Sequence, residues 1–211
     1  MAGDTKERIM ETALELFSEK GYLGTSMSDI AKQLGFTKAA LYKHYASKQE
    51  IFEALVESTA AQYDRYTEQV QVHVRDAAKD VAVFTDITED ALAEKVRQIF
   101  TFSLHDPAIS RFRRMMTLEQ FRSPELAHLY SQRFVERLIG YHAAIFQSLI
   151  SAGAMQNEDA DTLAMMYVAP ILTLLGECDR EPGKEADSIE KLDAHVRLFY
   201  RLLQPRRGEH K

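Results

Sequence analysis

Residues 26–48 read S-M-S-D-I-A-K-Q-L-G-F-T-K-A-A-L-Y-K-H-Y-A-S-K, and the placing of small, apolar and turn-forming side chains in this stretch decides the fold. Two short helices can cross closely only where the contact residue is small and the turn between them tolerates unusual backbone angles. Ala31 meets the first condition and Gly35 the second. Ile30, Leu34, Phe36 and Leu41 supply apolar contacts that lock the pair onto the helices before and after it. The second helix opens at Thr37 and leaves Lys38, Ala39, Tyr42, Lys43 and His44 exposed. These are partners for phosphates and base edges with small residues between them, as a helix entering a major groove requires.

On either side of this stretch the apolar residues repeat at three and four, with no sustained alternation at two and no Asn-Gly or Asp-Gly hairpin signal. The spacing predicts an all-α chain. Ile9, Ala13, Leu16 and Phe17 form one stripe on a first helix that Gly21 closes, since glycine accepts positive φ after a helix end. Three elements follow, over 26–34, 38–45 and from Ser47 onward; S-x-x-E at Ser47 and Glu50 marks the last as a capping box. Ile51, Phe52, Leu55 and Val56, then Tyr63, Tyr66 and Val70, carry its apolar face. Turn residues at 85–88, 106–107, 123–124, 153–157 and 180–187 then divide the rest, giving about nine helices. Ser123-Pro124-Glu125 is the clearest start among them, with a capping hydroxyl, a proline and an acid in order. The tail from Gln204 is polar, and Pro205 stops the last helix.

The formal charge of −6 is distributed unevenly. Residues 1–50 carry seven basic and seven acidic side chains, so the whole deficit lies in 51–211. Within 26–48, Lys32, Lys38, Lys43 and Lys48 face Asp29 alone. A basic face on an acidic body suits a protein that holds one DNA surface and stays dispersed elsewhere. Cys178 is the lone cysteine, which excludes an intramolecular disulfide. The charged first residues lack the apolar core of a signal peptide. The longest apolar stretch, 163–176, contains Pro170 and falls short of a bilayer span. The expectation is a cytoplasmic protein without a membrane segment.

Four linked motifs now give a specific likeness. A-L-E-L-F-S-E-K-G-Y (13–22), T-S-M-S-D-I-A (25–31), L-G-F-T-K-A-A-L-Y-K-H-Y (34–45) and S-K-Q-E-I-F (47–52) resemble, in order and spacing, the DNA-binding domain of the TetR family of repressors. The resemblance covers about a quarter of the chain. It implies a homodimer, an operator duplex as partner, a divergent C-terminal domain, and release from DNA when a small molecule binds. It assigns residues 1–50 to the DNA-binding head and 51–211 to the regulatory domain. Carried over residue by residue, Ser26 and Ser28 begin the helix that touches phosphates through hydroxyls and amides. Thr37 and Lys38 open the recognition helix, with Lys38 the candidate for a guanine edge. Tyr42 and His44 match phosphate-contacting positions, and Lys48 matches a backbone-binding lysine. Its loss is then expected to lower the salt slope of binding by about 1. Ala39 offers at most a contact to a thymine methyl.

The remainder is less specific. Phe100, Phe102, His105, Met115, Met116 and Phe121, then Phe134, Tyr141 and Tyr167, with Tyr130, His142 and Phe146 beside them, carry enough aromatic and thioether surface to line an apolar effector pocket. For any one of them, ordinary core packing is the more frequent use. Arg111, Arg113, Arg114 and Arg122 could draw an anionic ligand, but a solvated face or ion pairing within the chain is the better default. Two late helices have broad apolar faces at the positions where the family builds its dimer interface. Leu163, Met166, Ile171 and Leu174 mark one; Leu192, Val196, Phe199 and Leu203 mark the other. Some of these must face the chain's own core. No G-x-S-x-G, Walker, H-E-x-x-H or Rossmann glycine pattern occurs, and no His, Cys or carboxylate cluster has zinc-type spacing. The expectation is a regulator without cofactor or metal, not an enzyme.

Overall fold

The computed structural model describes residues 2–74 and 76–204, with side chains from residue 5 onward. The polar tail expected beyond Gln204 lies outside them. No strand occurs among the described residues, as the apolar spacing requires. Eleven α-helices follow in order: α1 (Ala2–Lys20), α2 (Met27–Leu34), α3 (Lys38–Tyr42), α4 (Lys48–Gln69), α5 (Ala77–Thr85), α6 (Glu89–His105), α7 (Pro107–Glu119), α8 (Pro124–Tyr130), α9 (Arg137–Ser151), α10 (Ala160–Arg180) and α11 (Glu185–Leu202). A π-helical segment, Ser131–Glu136, joins α8 to α9 without a break. The described chain thus makes ten separate helical runs where the sequence suggested about nine.

The chain forms two compact units, and the division falls within α4. One holds the residues up to Tyr63 together with His105–Tyr130; the other holds Asp64–Leu104 and the residues from Ser131 on. The first unit therefore runs past residue 50 and takes in α7 and α8. Its core gathers Ile9, Ala13, Leu16 and Phe17 of α1, Ile30 of α2, Leu41 of α3 and Ile51, Phe52 and Leu55 of α4, all buried. Each large side chain so buried contributes roughly 1.5–3 kcal/mol of transfer free energy. Phe52 also meets Phe112 of α7 with ring centroids 6.2 Å apart, which ties α7 into this core.

In the second unit α9 packs on α5 and α10, and α10 on α11. Four aromatic side chains join α9, α10 and α11: Phe146 lies 5.7 Å from Tyr167 and 5.5 Å from Phe199, while His142 lies 5.0 Å from Tyr167. Arg197 of α11 binds Asp193 on its own helix and Asp90 on α6, at 2.8 and 2.6 Å. Cys178 is buried.

Two local features differ from the sequence reading. The long α4 stops at Gln69, and Gln71 takes φ of +59° although neither glycine nor proline announces a turn there. Pro170, read as an interruption, sits inside a continuous 21-residue helix. Proline removes one backbone donor from the helix interior, but Leu163, Ala164, Tyr167 and Val168 before it and Leu174, Leu175 and Cys178 after it are all buried, and that packing holds both halves in line. By length and composition α10 could reach across a bilayer, contrary to the sequence reading. Its contacts with α9 and α11 are those of a core helix.

Candidate DNA-binding surface and effector cavity

The helix-turn-helix is built by local chemistry. The Ser26 hydroxyl accepts from the Asp29 amide at 3.2 Å, and the Asp29 carboxylate accepts from the Ser26 amide at 2.8 Å, a reciprocal cap that starts α2. Gly35 ends it at φ of +70°, and the Phe36 amide closes the turn on the Ala31 carbonyl at 2.8 Å. Thr37 caps α3 by accepting from the Ala40 amide at 3.1 Å. The Ser47 hydroxyl caps α4 through the Glu50 amide at 3.0 Å, while the Glu50 carboxylate returns to the amide of Ala46, one residue before the position that the motif implied.

Of the nine residues assigned to DNA, Ser28, Thr37, Lys38, Ala39, Tyr42 and Lys43 are exposed, and His44 is half-buried. Lys38 lies over the Tyr42 ring at 5.9 Å, so the two share one face of α3. Two residues are engaged elsewhere. The Ser26 hydroxyl donates to the Asp29 carboxylate at 2.5 Å, so its proton serves the cap and a carboxylate stands where a phosphate was expected. The Ser26 hydroxyl and amide hold that carboxyl below its usual range. The Lys48 ammonium donates to the carbonyls of Tyr22 and Thr25 at 2.6 and 2.8 Å and lies 4.2 Å from the Tyr22 ring centroid. Burial lowers its pKa, and the neighbouring Glu119 charge acts in the opposite sense. Two exposed cations that the sequence reading passed over stand beside these helices: Lys6 lies 5.1 Å from the Tyr45 ring and Arg8 lies 5.9 Å from the Phe36 ring.

The turn that Lys48 clasps also meets α7. Gly21 has φ of +80°, and a Cβ there would lie 2.7 Å from Glu119 Oε1. Glu119 is 1% exposed and accepts from Arg122 at 2.9 Å. Its Oε2 is buried without a hydrogen-bond partner among the described residues. The Thr25 hydroxyl, donating toward the carbonyls of Leu16 and Gly21 at 3.2 and 2.9 Å, and the Tyr22 hydroxyl, donating to Gln49 Oε1 at 2.7 Å, complete the junction.

The second unit contains a partly open cavity of about 140 Å³ between residues of α5, α6, α9, α10 and α11. Val96, Ile99, Ile145, Phe146, Leu149 and Phe199 supply much of its wall. Its polar lining residues include Tyr141, His142 and Tyr167. The Tyr141 hydroxyl donates to the buried Asp80, which also binds the His73 ring and amide, each at 2.6 Å. His142 Nδ1 donates to the Leu138 carbonyl at 2.8 Å. Its burial pushes its pKa down to about 4, against the smaller opposing effect of that carbonyl. Burial likewise raises the Tyr167 hydroxyl far above its ordinary range.

Of the nine pocket residues read from sequence, this cavity takes Tyr141 and Tyr167. Phe121 is 86% exposed and His105 is exposed as well. Met115 and Met116 fill the core of the first unit, and Phe100 is buried without reaching the cavity. Phe102 stacks on Tyr66 with centroids 3.7 Å apart, and Phe134 sits on the π-helical segment outside the wall. The arginine cluster belongs to the first unit, with Arg122 paired to Glu119. The signal that would have found the wall is the α9 stripe at positions 141, 142, 145, 146 and 149. Among the expected interface residues, Leu163, Leu174, Leu192, Val196 and Phe199 are buried within the chain, and Phe199 and Leu203 line the cavity. Ile171 is half-buried and Met166 is 58% exposed. The large exposed apolar residues on these helices are Met165 and Met166 of α10 and Leu198 and Leu202 of α11.

Fold and sites together define an all-helical protein with an N-terminal helix-turn-helix and a separate unit hollowed by a cavity. Residues 9–55 match the bacterial regulatory proteins of the tetR family, and residues 90–176 match the C-terminal domain of AefR-like transcriptional repressors. The chain belongs to the TetR family. It is 49% identical over 53 residues to the biofilm operon icaADBC HTH-type negative transcriptional regulator IcaR of Staphylococcus epidermidis RP62A, a match that spans 25% of this chain and 29% of that protein. The likeness to this relative is thus confined to less than a third of its length. Over 97% of this chain the fold is similar to the flavonoid-responsive regulator FrrA, at a TM-score of 0.62 and 25% identity, covering 99% of that chain. It is also similar to SmeT in complex with triclosan, at a TM-score of 0.70 and 20% identity, covering 97% and 93% of the two chains.

Proposed function

We propose that this protein is a sequence-specific DNA-binding transcriptional regulator, a repressor that leaves its operator when a small molecule enters the second unit. The observation that carries this reading is the exposed Thr37, Lys38, Tyr42 and Lys43 set on a helix-turn-helix closed by Gly35. Base edges and phosphates need such groups presented outward from a short, fixed helix. Residues 1–50 act as the reading head and 51–211 as the regulatory part, with α7 and α8 packed into the unit that carries the head. The name IcaR describes a negative regulator, and FrrA and SmeT are named with a flavonoid response and with triclosan; these support repression and an effector of that general kind here.

The regulator acts as a homodimer in the cytoplasm, binding rather than transforming its ligand and using no cofactor or metal. Met165, Met166, Leu198 and Leu202 form the apolar surface that a second copy would cover. A two-fold pair places recognition helices about one duplex turn apart, roughly 34–36 Å, on a near-palindromic site. Duplexes selected from a randomised pool by the purified protein test this. The expected outcome is a palindromic site bound at least about a thousandfold more tightly than random duplex, with affinity falling steeply as salt rises. Equal, weak affinity for every duplex at low salt would overturn the reading.

A further inference from the structure

The wall of the second-unit cavity is mainly apolar with several polar side chains among it, and the polar atoms left unsatisfied determine what it can hold. The Tyr141, Tyr200 and Thr85 hydroxyls donate to Asp80, the Ile87 carbonyl and the Val81 carbonyl. The one ammonium of the wall, on Lys95, is drawn to the Val70 carbonyl at 2.5 Å and to Gln71 Oε1 at 3.4 Å. Gln204 stands at an exposed position. Two groups remain. His142 donates through Nδ1 to the Leu138 carbonyl, which fixes the neutral tautomer and leaves Nε2 as a lone-pair acceptor. Tyr167 is 5% exposed, and its hydroxyl, like His142 Nε2, finds no hydrogen-bond partner among the described residues. The two rings are neighbours, with centroids 5.0 Å apart.

Resting on the reading of this cavity as the effector site, we propose that its ligand is a neutral, single-ring hydroxylated aromatic compound whose hydroxyl is received by His142 and Tyr167. A hydroxyl satisfies both groups, because its proton goes to Nε2 and its lone pair accepts from the tyrosine. An ether, ketone or arene brings no proton and leaves Nε2 unpaired in an apolar wall, which carries the full desolvation penalty. A carboxylate finds one ammonium in the wall, that of Lys95, already donating to the Val70 carbonyl and Gln71 Oε1, and an ammonium group finds Asp80 already holding His73 and Tyr141. Size points the same way. A cavity of roughly 150 Å³ holds one benzene, and this one measures about 140 Å³. The rings of Phe146, Tyr167 and Phe199 lie within 5.7 Å of one another and offer aromatic faces and edges to a flat guest.

Calorimetric titration of the full chain near pH 7 with 4-ethylphenol, 4-ethyltoluene, 4-ethylbenzoate and 4-ethylbenzylamine separates these chemistries. The expected result is 4-ethylphenol bound about tenfold more tightly than each of the others. His142→Leu and Tyr167→Phe should each erase most of the advantage over 4-ethyltoluene while leaving 4-ethyltoluene itself within about twofold. If His142→Leu does not fold, Tyr167→Phe carries the comparison, since it removes a single oxygen. Binding of the benzoate or the amine as tightly as the phenol overturns the proposal, and so does equal affinity for phenol and toluene or no binding of any probe at millimolar concentration. The regulatory reading is tested apart from this by adding 4-ethylphenol to the protein on its selected duplex. A phenol that binds with the expected preference but releases no DNA leaves the ligand class standing and removes the cavity's role as effector site.

Discussion

Gly21 is the residue on which the head's geometry turns, because two demands meet there. Its φ of +80° is open to glycine and costs other residues roughly 1–2 kcal/mol. A Cβ would also press on the buried Glu119 carboxylate at 2.7 Å. Gly21→Ala is therefore expected to cost about 2 kcal/mol in urea unfolding, and about 1 kcal/mol when Glu119 is already alanine. Equal costs in both backgrounds would remove the α7 contact from the account. Lys48 shows how a family position can take on a contact within the chain. The likeness implies a phosphate contact, yet the ammonium joins the Tyr22 and Thr25 carbonyls. Lys48→Ala should then lower the melting temperature and weaken selected and random duplexes alike, with the salt slope unchanged. A slope reduced by about 1 would return Lys48 to the phosphates. The sequence could offer the residue type and position but not the partner, since Tyr22 and Thr25 meet Lys48 only after α4 has packed against the preceding turn.

At the scale of elements, what could be read in advance was whatever announces itself locally. Gly21 and Gly35 closed α1 and α2 where expected, and Asp106-Pro107 and Ser123-Pro124 opened α7 and α8. The π-helical segment 131–136 and the turn at Gln71 carry no such punctuation and were not legible. Pro170 misled because burial along α10 outweighs one missing hydrogen bond. The cavity was mostly hidden for another reason: its wall comes from five helices spread over residues 72–204, and composition cannot say which aromatic side chains converge. That left Phe121, at 86% exposure, on the same list as Tyr167. The α9 stripe has a measurable consequence. His142 titrates in the unfolded chain near its ordinary 6.5 but only at about 4 in the fold. Between those values the unfolded chain takes up a proton that the folded chain refuses, so stability is full above pH 6.5 and declines toward pH 4. From pH 7 to pH 5 this side chain should remove about 2 kcal/mol of stability. Urea titrations of wild type and His142→Leu at both pH values check it, the wild type losing more by that amount; parallel losses would contradict the neutral imidazole.

For the whole molecule, the argument from one chain to an operator passes through symmetry. A five-residue recognition helix reads only a few base pairs, so useful specificity needs a second copy held at a fixed spacing. The large apolar side chains of α10 and α11 include two contrasting sets. Leu163, Tyr167, Leu174, Leu192, Val196 and Phe199 are consumed within the second unit, which excludes them as the surface two copies would share. Met165, Met166, Leu198 and Leu202 are between 51% and 61% exposed, an arrangement that water disfavours unless another surface covers it. Across a two-fold axis each copy would present the same patch to the other. Placing like charges in that patch, by Met166→Glu together with Leu198→Glu, should leave the helical content and the cavity's ligand affinity intact, since both positions face away from the chain's own core. Sedimentation equilibrium at micromolar concentration should then find a monomer in place of a dimer. Affinity for the selected palindrome should fall at least about a hundredfold while the weak affinity for random duplex changes little, because losing one of two half-sites removes paired base contacts worth about 1–3 kcal/mol each. A double variant that still sediments as a dimer would show that the copies meet elsewhere, and one that is monomeric yet binds the palindrome at full strength would show that a single head suffices.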